Sequence, residues 1–399
     1  MCLAFSSLSR PIALAAFALL SACGGGGTPS TPPSTTPAAT TPGAVTPQVS
    51  AAACSSGLSW GVNVHQPTSQ WARLPDVLAP RGIKHIRMGL WGNDQSYVQQ
   101  LRTLASSLAS RQIHTSAIIF DSYANGYPAA QVCNADLATV EQNAYNEAKL
   151  AVTRTEDLIH DYELLNEVSL YPNIQVAGTT GQSASDFDTA CGRLQAANLR
   201  GMARAVADER SRTGLPLRVI LGTVNRHFGF YKFMQAQGVN FDVSGYHIYP
   251  WEGHRPLDQD PWFGAGGPIG QLALFGKPIQ INEFNCGEIY GASYENQAGQ
   301  PQTEACLRSV SKHLQEVVNQ TVANIESVYF YELTDEPAKA APENRFGLMA
   351  DLDTPKVAWF LASAFAGGAV SGSEANELTS RGLLTPTQIA NWAGCGARP

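Results

Sequence analysis

From about residue 55 onward, short apolar runs alternate with longer amphipathic stretches. The runs are Leu58–His65 (LSWGVNVH), His85–Trp91 (HIRMGLW), His114–Phe120 (HTSAIIF), Asp161–Glu167 (DYELLNE), Leu217–Val224 (LRVILGTV), Phe241–Tyr249 (FDVSGYHIY), Pro278–Phe284 (PIQINEF) and Ser327–Leu333 (SVYFYEL). Each has the length and the β-branched or aromatic content of a buried strand. Segments such as Asp94–Arg111 and Leu194–Arg212 have the length and spacing of helices. Strands alternating with helices indicate an α/β fold built on a parallel sheet. An open doubly wound sheet has the same alternation, but a count of eight strands favours closure. The expectation is a single (β/α)8 TIM barrel, with residues 54–399 as its domain. In such a barrel, functional side chains gather at the C-terminal ends of the strands. Those ends carry His65, Trp91, Asp121, Asn166, Glu167, His247, Tyr249, Glu283 and Glu332.

The first 53 residues follow a different pattern. Residues 1–22 read as a signal peptide, with Arg10 before the apolar run Pro11–Leu20 (PIALAAFALL). Leu20-Ser21-Ala22-Cys23 looks like the lipobox of bacterial lipoproteins, implying cleavage before Cys23 and a lipid on its thiol. A plain secretory signal that happens to contain a Cys is the alternative. Residues 23–53 are rich in Gly, Ser, Thr and Pro, and residues 24–50 lack charge and aromatic rings. A stretch with so little to bury is expected to be a tether. These features lead to an expectation of an exported lipoprotein in the outer membrane, the periplasm or at the cell surface.

Composition narrows the class further. The chain has 399 residues, 44% hydrophobic and 15% charged, with 26 Lys+Arg against 33 Asp+Glu. A net charge of −7 offers no electrostatic footprint for nucleic acid. Arg226, His227, His254 and Arg255 fall near the expected barrel mouth as scattered charges, which are usually a solvated rim. Besides Cys2 and Cys23, six Cys remain: Cys54, Cys133, Cys191, Cys286, Cys306 and Cys395. An even number in an exported chain, with no CxxC spacing, indicates disulfides rather than a metal centre. Six Cys allow 15 pairings; proximity in sequence favours Cys133–Cys191 and Cys286–Cys306, leaving Cys54–Cys395. No ligand spacing such as H-E-x-x-H occurs, so no metal or cofactor is expected.

The fourth and seventh apolar runs both lead to a glutamate preceded by Asn: Leu164-Leu165-Asn166-Glu167 and Gln280-Ile281-Asn282-Glu283. A carboxylate at the end of a buried strand is costly to desolvate. Two of them converging over one barrel mouth are what retaining glycoside hydrolysis uses, one as nucleophile and one as acid/base. With these residues the sequence resembles the clan A retaining glycoside hydrolases over most of the chain after residue 55. The resemblance implies Glu167 as acid/base, Glu283 as nucleophile, Arg87 on the second strand as the nucleophile's partner, and His247-Ile248-Tyr249 as the sixth-strand His-x-Tyr. Within the clan, Phe330-Tyr331-Glu332-Leu333, Phe346-Gly347-Leu348, Thr354-Pro355-Lys356 and Gly61-Val62-Asn63-Val64-His65 look like glycoside hydrolase family 39 and its exopolysaccharide-cleaving relatives. One departure concerns the eighth strand, where the clan often carries a Trp and Phe330 occupies the corresponding place.

The residues are consistent with those roles. Arg87 and a Tyr249 hydroxyl would keep Glu283 ionised, and Asn166 would donate to a sugar 2-hydroxyl. Trp251, Trp91, His65 and His247 are the further substrate-binding candidates, with Trp262, Tyr123, Tyr171 and Tyr294 in or beside neighbouring loops. The expectation is a monomeric, lipid-anchored endo-hydrolase of β-linked exopolysaccharide. An exo-acting β-glycosidase and a non-catalytic carbohydrate-binding lipoprotein on the same fold are the alternatives.

Overall fold

The structure, a computed structural model, describes residues 57–122, 132–290 and 304–393. The signal segment, Cys23, the tether, Cys54, Cys395, Tyr123 and Tyr294 lie outside the described residues. The strands are β1 (Ser59–Asn63), β2 (His85–Trp91), β3 (His114–Phe120), β4 (Asp161–Leu164), β5 (Arg218–Val224), β6 (Val243–Ile248), β7 (Ile279–Phe284) and β8 (Ile325–Phe330). They close in sequence order, every neighbouring pair parallel. The closure itself is the pairing of β1 with β8, which sets Gly61 opposite Tyr329 and Val62 opposite Phe330. That seam distinguishes the barrel from an open sheet.

Helices α1 (Leu74–Leu78), α2 (Gln95–Ala109), α3 (Leu137–Thr153), α4 (Ala190–Thr213), α5 (Phe228–Ala236), α6 (Gly267–Ala273) and α7 (Glu304–Asn319) connect successive strands. Beyond β8 come a small hairpin (Met349–Asp351 with Thr354–Pro355) and helices α8 (Val357–Phe365), α9 (Gly372–Ser380) and α10 (Pro386–Trp392). Helix starts coincide with side-chain caps. Asp94 accepts from the Tyr97 amide at 2.9 Å, Asp136 from Thr139 at 2.9 Å, and Thr189 from Gly192 at 2.9 Å. Helices α3 and α4 approach closely at Gly201, where a Cβ would come within 2.1 Å of the Glu141 carbonyl oxygen. Among the described residues, no helix is long and apolar enough to cross a membrane.

The strands show why both faces of the barrel wall are specified. On β2, Ile86, Met88 and Leu90 belong to the apolar core, whereas Arg87 between them joins a polar cluster with Asn63 and Glu163. Alternation of period two therefore separates an apolar layer from a polar one that runs to the C-terminal mouth.

Most strand boundaries match the sequence expectation to within two residues; β4 and β8 each end three residues early, and β4 is the instructive case. It ends at Leu164, not at Glu167, because Leu165 and Glu167 adopt left-handed backbone with φ of 59° and 48°. The chain turns there, and Glu167 is displayed from the turn instead of from the strand. Phe330 also needs correction. It is 2% exposed and stacks on Trp60 at 5.8 Å, away from any mouth. The ring next to the site is Tyr331, which meets Tyr249 at 6.3 Å and Phe346 at 5.3 Å.

Cys133–Cys191 and Cys286–Cys306 are bonded, as proximity in sequence predicts; the third expected pair lies outside the described residues. Cys133–Cys191 ties the segment before α3 to the first turn of α4 across 58 residues. Replacing both of these Cys by Ser should cost about 2–4 kcal/mol by releasing that loop in the unfolded chain. The check is thermal unfolding together with non-reducing peptide mapping of both bonds.

Candidate active site

The site is organised around one buried cation. Arg87 is 1% exposed, on β2 inside the barrel. A guanidinium has five N–H donors in a fixed planar fork, and each finds an oxygen here. Nε and one terminal N–H donate to the two oxygens of Glu163 at 2.6 and 2.9 Å. The remaining three go to Glu283 Oε1 at 2.8 Å, Asn63 Oδ1 at 2.7 Å and Asn166 Oδ1 at 2.7 Å. Residues from β1, β2, β4, β7 and the turn after β4 thus share one hub. Asn282 adds a donor to Glu163 at 2.8 Å, while Asn63 Nδ2 donates to the Asn282 carbonyl at 2.9 Å.

Glu283, near the end of β7, is held at both oxygens. Arg87 donates to Oε1 and the Tyr249 hydroxyl donates to Oε2 at 2.6 Å. Burial pushes this carboxyl up, but the charges of His247 and Arg87 and the Tyr249 hydrogen bond outweigh it, so it sits below the usual range. Glu163 behaves alike. Burial raises it, and Arg87 with His247 brings it down to about 2. His247 stands between the carboxylates, its Nδ1 2.9 Å from Glu167 Oε1 and 3.4 Å from Glu283 Oε2. Burial would lower the imidazole; Glu283, Glu163 and Glu167 together raise it to about 9, against opposition from Arg87. With every Arg87 donor already satisfied by oxygen, Nε2 of His247 at 3.2 Å need not accept a proton, which is compatible with an imidazolium.

Oxygens of Glu167 and Glu283 and the facing nitrogen of His247 lie within 4.8 Å of one another. The two carboxylates differ in exposure: the Glu167 side chain is 29% accessible and Glu283 6%. Asn166 presents its oxygen to Arg87, so its amide nitrogen is the donor end. The arrangement combines a buried, doubly anchored anion with a more open carboxyl able to exchange protons with water. A second group, His65, Glu332 and Glu336, also has ligand-like spacing. In each group a protein cation already faces the carboxylates: Arg87 in the first, Lys339 beside Glu336 in the second.

The structure gathers Arg87, Asn166, Glu167, His247, Tyr249 and Glu283 into one network. His247, expected to touch substrate, instead bridges the two carboxylates. His65 belongs to the neighbouring group, its Nδ1 2.6 Å from the fully buried Glu332. Burial lifts Glu332 to about 7 even against His65. Trp91 is 38% exposed but stacks on Phe120 at 5.1 Å with Tyr97 edge-on, outside the network. Trp251 is 40% exposed and packs against the loop after β7, where a Cβ on Gly287 would meet its ring at 2.7 Å. Glu163, Asn63 and Asn282 were not among the candidates. All three are polar residues within buried strands, and the register sets Asn63 directly opposite Arg87.

Comparison of the fold gives matches to glycosidase barrels. The family 1 β-glucosidase from Thermotoga maritima aligns with a TM-score of 0.53 at 12% identity, covering 79% of this chain and 98% of that one. The same organism's β-glucosidase in complex with azafagomine aligns at 0.54 and 12%, covering 79% and 99%. This chain shares their barrel. No family model and no curated protein sequence matches it.

Two outcomes test this network. Arg87→Met would leave Glu163 and Glu283 buried without their cation, costing about 3–5 kcal/mol in denaturant unfolding. The pH dependence has two limbs. Glu163, depressed to about 2, contributes stability present above about 4.5 and lost as pH falls towards 2. His247, raised to about 9, contributes stability present below 6.5 and lost as pH rises through 9. His65, lifted to about 9 by Glu332 and Glu336 against the effect of burial, adds the same alkaline sign. Glu332, lifted to about 7, adds a fall that begins above about pH 4.5. The thermal midpoint should therefore peak near pH 4.5 and decline as pH rises through 9, and His247→Asn should flatten part of the alkaline fall.

Proposed function

We propose that the protein is a retaining glycoside hydrolase acting on β-linked polysaccharide, with Glu283 as nucleophile and Glu167 as acid/base. The observation that carries this reading is the pair of carboxylates from β7 and the turn after β4, with oxygens within 4.8 Å. Retention uses carboxyl groups about 5–5.5 Å apart, whereas inversion leaves about 6.5–9.5 Å for a water between them. The assignment of roles follows the environments. A nucleophile must stay ionised, and Glu283 is the buried carboxylate stabilised by Arg87, His247 and Tyr249. An acid/base must trade protons with a leaving group and then with water, which suits the more open Glu167.

In the first step a Glu283 oxygen attacks the anomeric carbon as the glycosidic C–O bond breaks. Glu167 transfers its proton to the departing oxygen. The product is a glycosyl ester on Glu283. In the second step Glu167, now a carboxylate, takes a proton from water as that water attacks the same carbon. The ester C–O bond breaks, Glu283 returns as the anion, and two inversions give net retention. The Asn166 amide is placed to donate to a 2-hydroxyl, a bond that strengthens as the oxocarbenium character grows.

Endo-action on an exopolysaccharide is the favoured form. It is supported by the likeness of the sequence to the exopolysaccharide-cleaving relatives of family 39 and by the lipobox and tether ahead of the domain. A lipid on Cys23 would place the enzyme on a bacterial membrane facing secreted polymer. The barrels it resembles are named β-glucosidases, which favours a β-linkage and keeps an exo-acting enzyme as the second reading. A non-catalytic binder has no need of a carboxylate held ionised by two cations and a tyrosine.

Incubation with 2-deoxy-2-fluoro glycosyl fluorides should give one covalent adduct, mapped by mass spectrometry to Glu283. Glu283→Gln should abolish it, and near-wild-type turnover in that variant would overturn the nucleophile assignment. Glu167→Gln should lower turnover about 10²–10⁴-fold on substrates with poor leaving groups. On exopolysaccharide, endo-action shows as a viscosity drop that precedes reducing-end release; exo-action reverses that order.

A further inference from the structure

Outside the carboxylate network, the loops leaving β4, β5 and β6 meet at a cation–aromatic pair. Arg226 follows β5, and its guanidinium carbon lies 5.0 Å from the ring centroid of Trp262 in the loop after β6. Both side chains are braced. Gln182, from the loop after β4, accepts from Arg226 at 3.3 Å and donates to the Phe263 carbonyl at 3.2 Å. Asp260 caps the short turn by accepting from the Trp262 amide at 3.0 Å, and Phe263 packs edge-on against the indole at 4.6 Å. Trp262 nevertheless remains 46% exposed.

Two further facts make this pair unlike an ordinary solvated rim. Most arginines of this chain, including exposed ones such as Arg73, Arg111 and Arg193, pair with carboxylates, although Arg154, Arg255 and Arg345 among the described residues do not. Arg226 has no ion pair among the described residues, and its buried Nε has no hydrogen-bond acceptor. The pair also has a definite place relative to the chemistry. Its neighbour His227 is 3.1 Å from the Ser169 hydroxyl, two residues beyond Glu167, so the loop that carries Arg226 meets the turn that carries the acid/base.

On the glycosidase reading above, the group next to the acid/base is the leaving portion of the substrate. We propose that Arg226 and Trp262 form a subsite there for a uronate unit of a β-linked glycan. The exposed indole stacks on a pyranose face, as aromatic rings do on weakly polarised C–H surfaces. The guanidinium takes the sugar carboxylate in a charge-assisted hydrogen bond, for which its planar fork is suited. The substrate class thereby narrows from β-linked polysaccharide to an acidic one.

The test is affinity electrophoresis of the full chain carrying Glu283→Gln, so that bound polymer is not cleaved. The gels contain either β-1,4-polyglucuronate, made by oxidising cellulose, or neutral hydroxyethylcellulose. The polyglucuronate should retard the protein more strongly, with an apparent affinity about fivefold higher that declines with added salt. Arg226→Gln should erase that preference and Arg226→Lys should keep part of it, while circular dichroism reports the fold of each variant. Equal retardation by the two polymers, retardation by neither, or a preference that survives Arg226→Gln in a folded protein would each overturn the subsite. Fluoro-sugar trapping on Glu283 tests the glycosidase reading separately, so an intact adduct with no acidic preference rejects the subsite alone.

Discussion

A single guanidinium inside the barrel sets the electrostatics of everything around it. Arg87 cannot lose its proton at any pH the fold survives, and burial at 1% exposure would be prohibitive without compensation. The compensation is complete in geometry: two oxygens from Glu163, one from Glu283 and two from Asn63 and Asn166. Because the fork is planar and rigid, satisfying it fixes the relative positions of β1, β2, β4 and β7 at their C-terminal ends. A lysine, with three donors around one point, could not make the bidentate pair with Glu163 and still reach the other three oxygens.

Glu163 shows how the cluster divides its labour. It faces Arg87 with both oxygens and accepts from Asn282, leaving it fully engaged inside the barrel. Glu283 shares the same cation through one oxygen only, and its other oxygen meets a hydroxyl. One carboxylate thus balances the buried charge, and the other stays ionised at the edge of the mouth. His247 completes the set. As an imidazolium it places a positive charge between the two carboxyl groups, 2.9 Å from Glu167 and 3.4 Å from Glu283.

The rim around this cluster carries a charge-paired group on one side and an isolated cation on the other. Beyond β1 and β8, His65, Glu332, Glu336 and Lys339 form a tight charged group in which Glu332 is fully buried. Beyond β5 and β6, Arg226 stands against Trp262 without an acidic partner among the described residues.

Much of this was legible from the chain. Eight apolar runs at strand length, and two of them leading to Asn-Glu, were enough for the barrel and for bringing Glu167 and Glu283 together, since a closed parallel sheet puts all such ends at one mouth. Arg87 and Tyr249 stood out only through the resemblance to clan A glycoside hydrolases, whose second-strand Arg and sixth-strand His-x-Tyr they match. The pattern could not show where a strand stops when the last residues are apolar as well. Leu165 turns left-handed under tertiary constraint, so Glu167 leaves the strand that its sequence continues. Nor could it separate Phe330 from Tyr331, because a one-residue shift in period-two geometry exchanges the faces of the wall. The choice of His247 as a bridge, Glu163 as the counter-ion and Trp262 as the partner of Arg226 depended on contacts between residues dozens of positions apart. Local composition determined the fold and the kinds of chemistry available; only closure of the barrel decided which charges face each other, because pairing energies depend on distance in space and not along the chain.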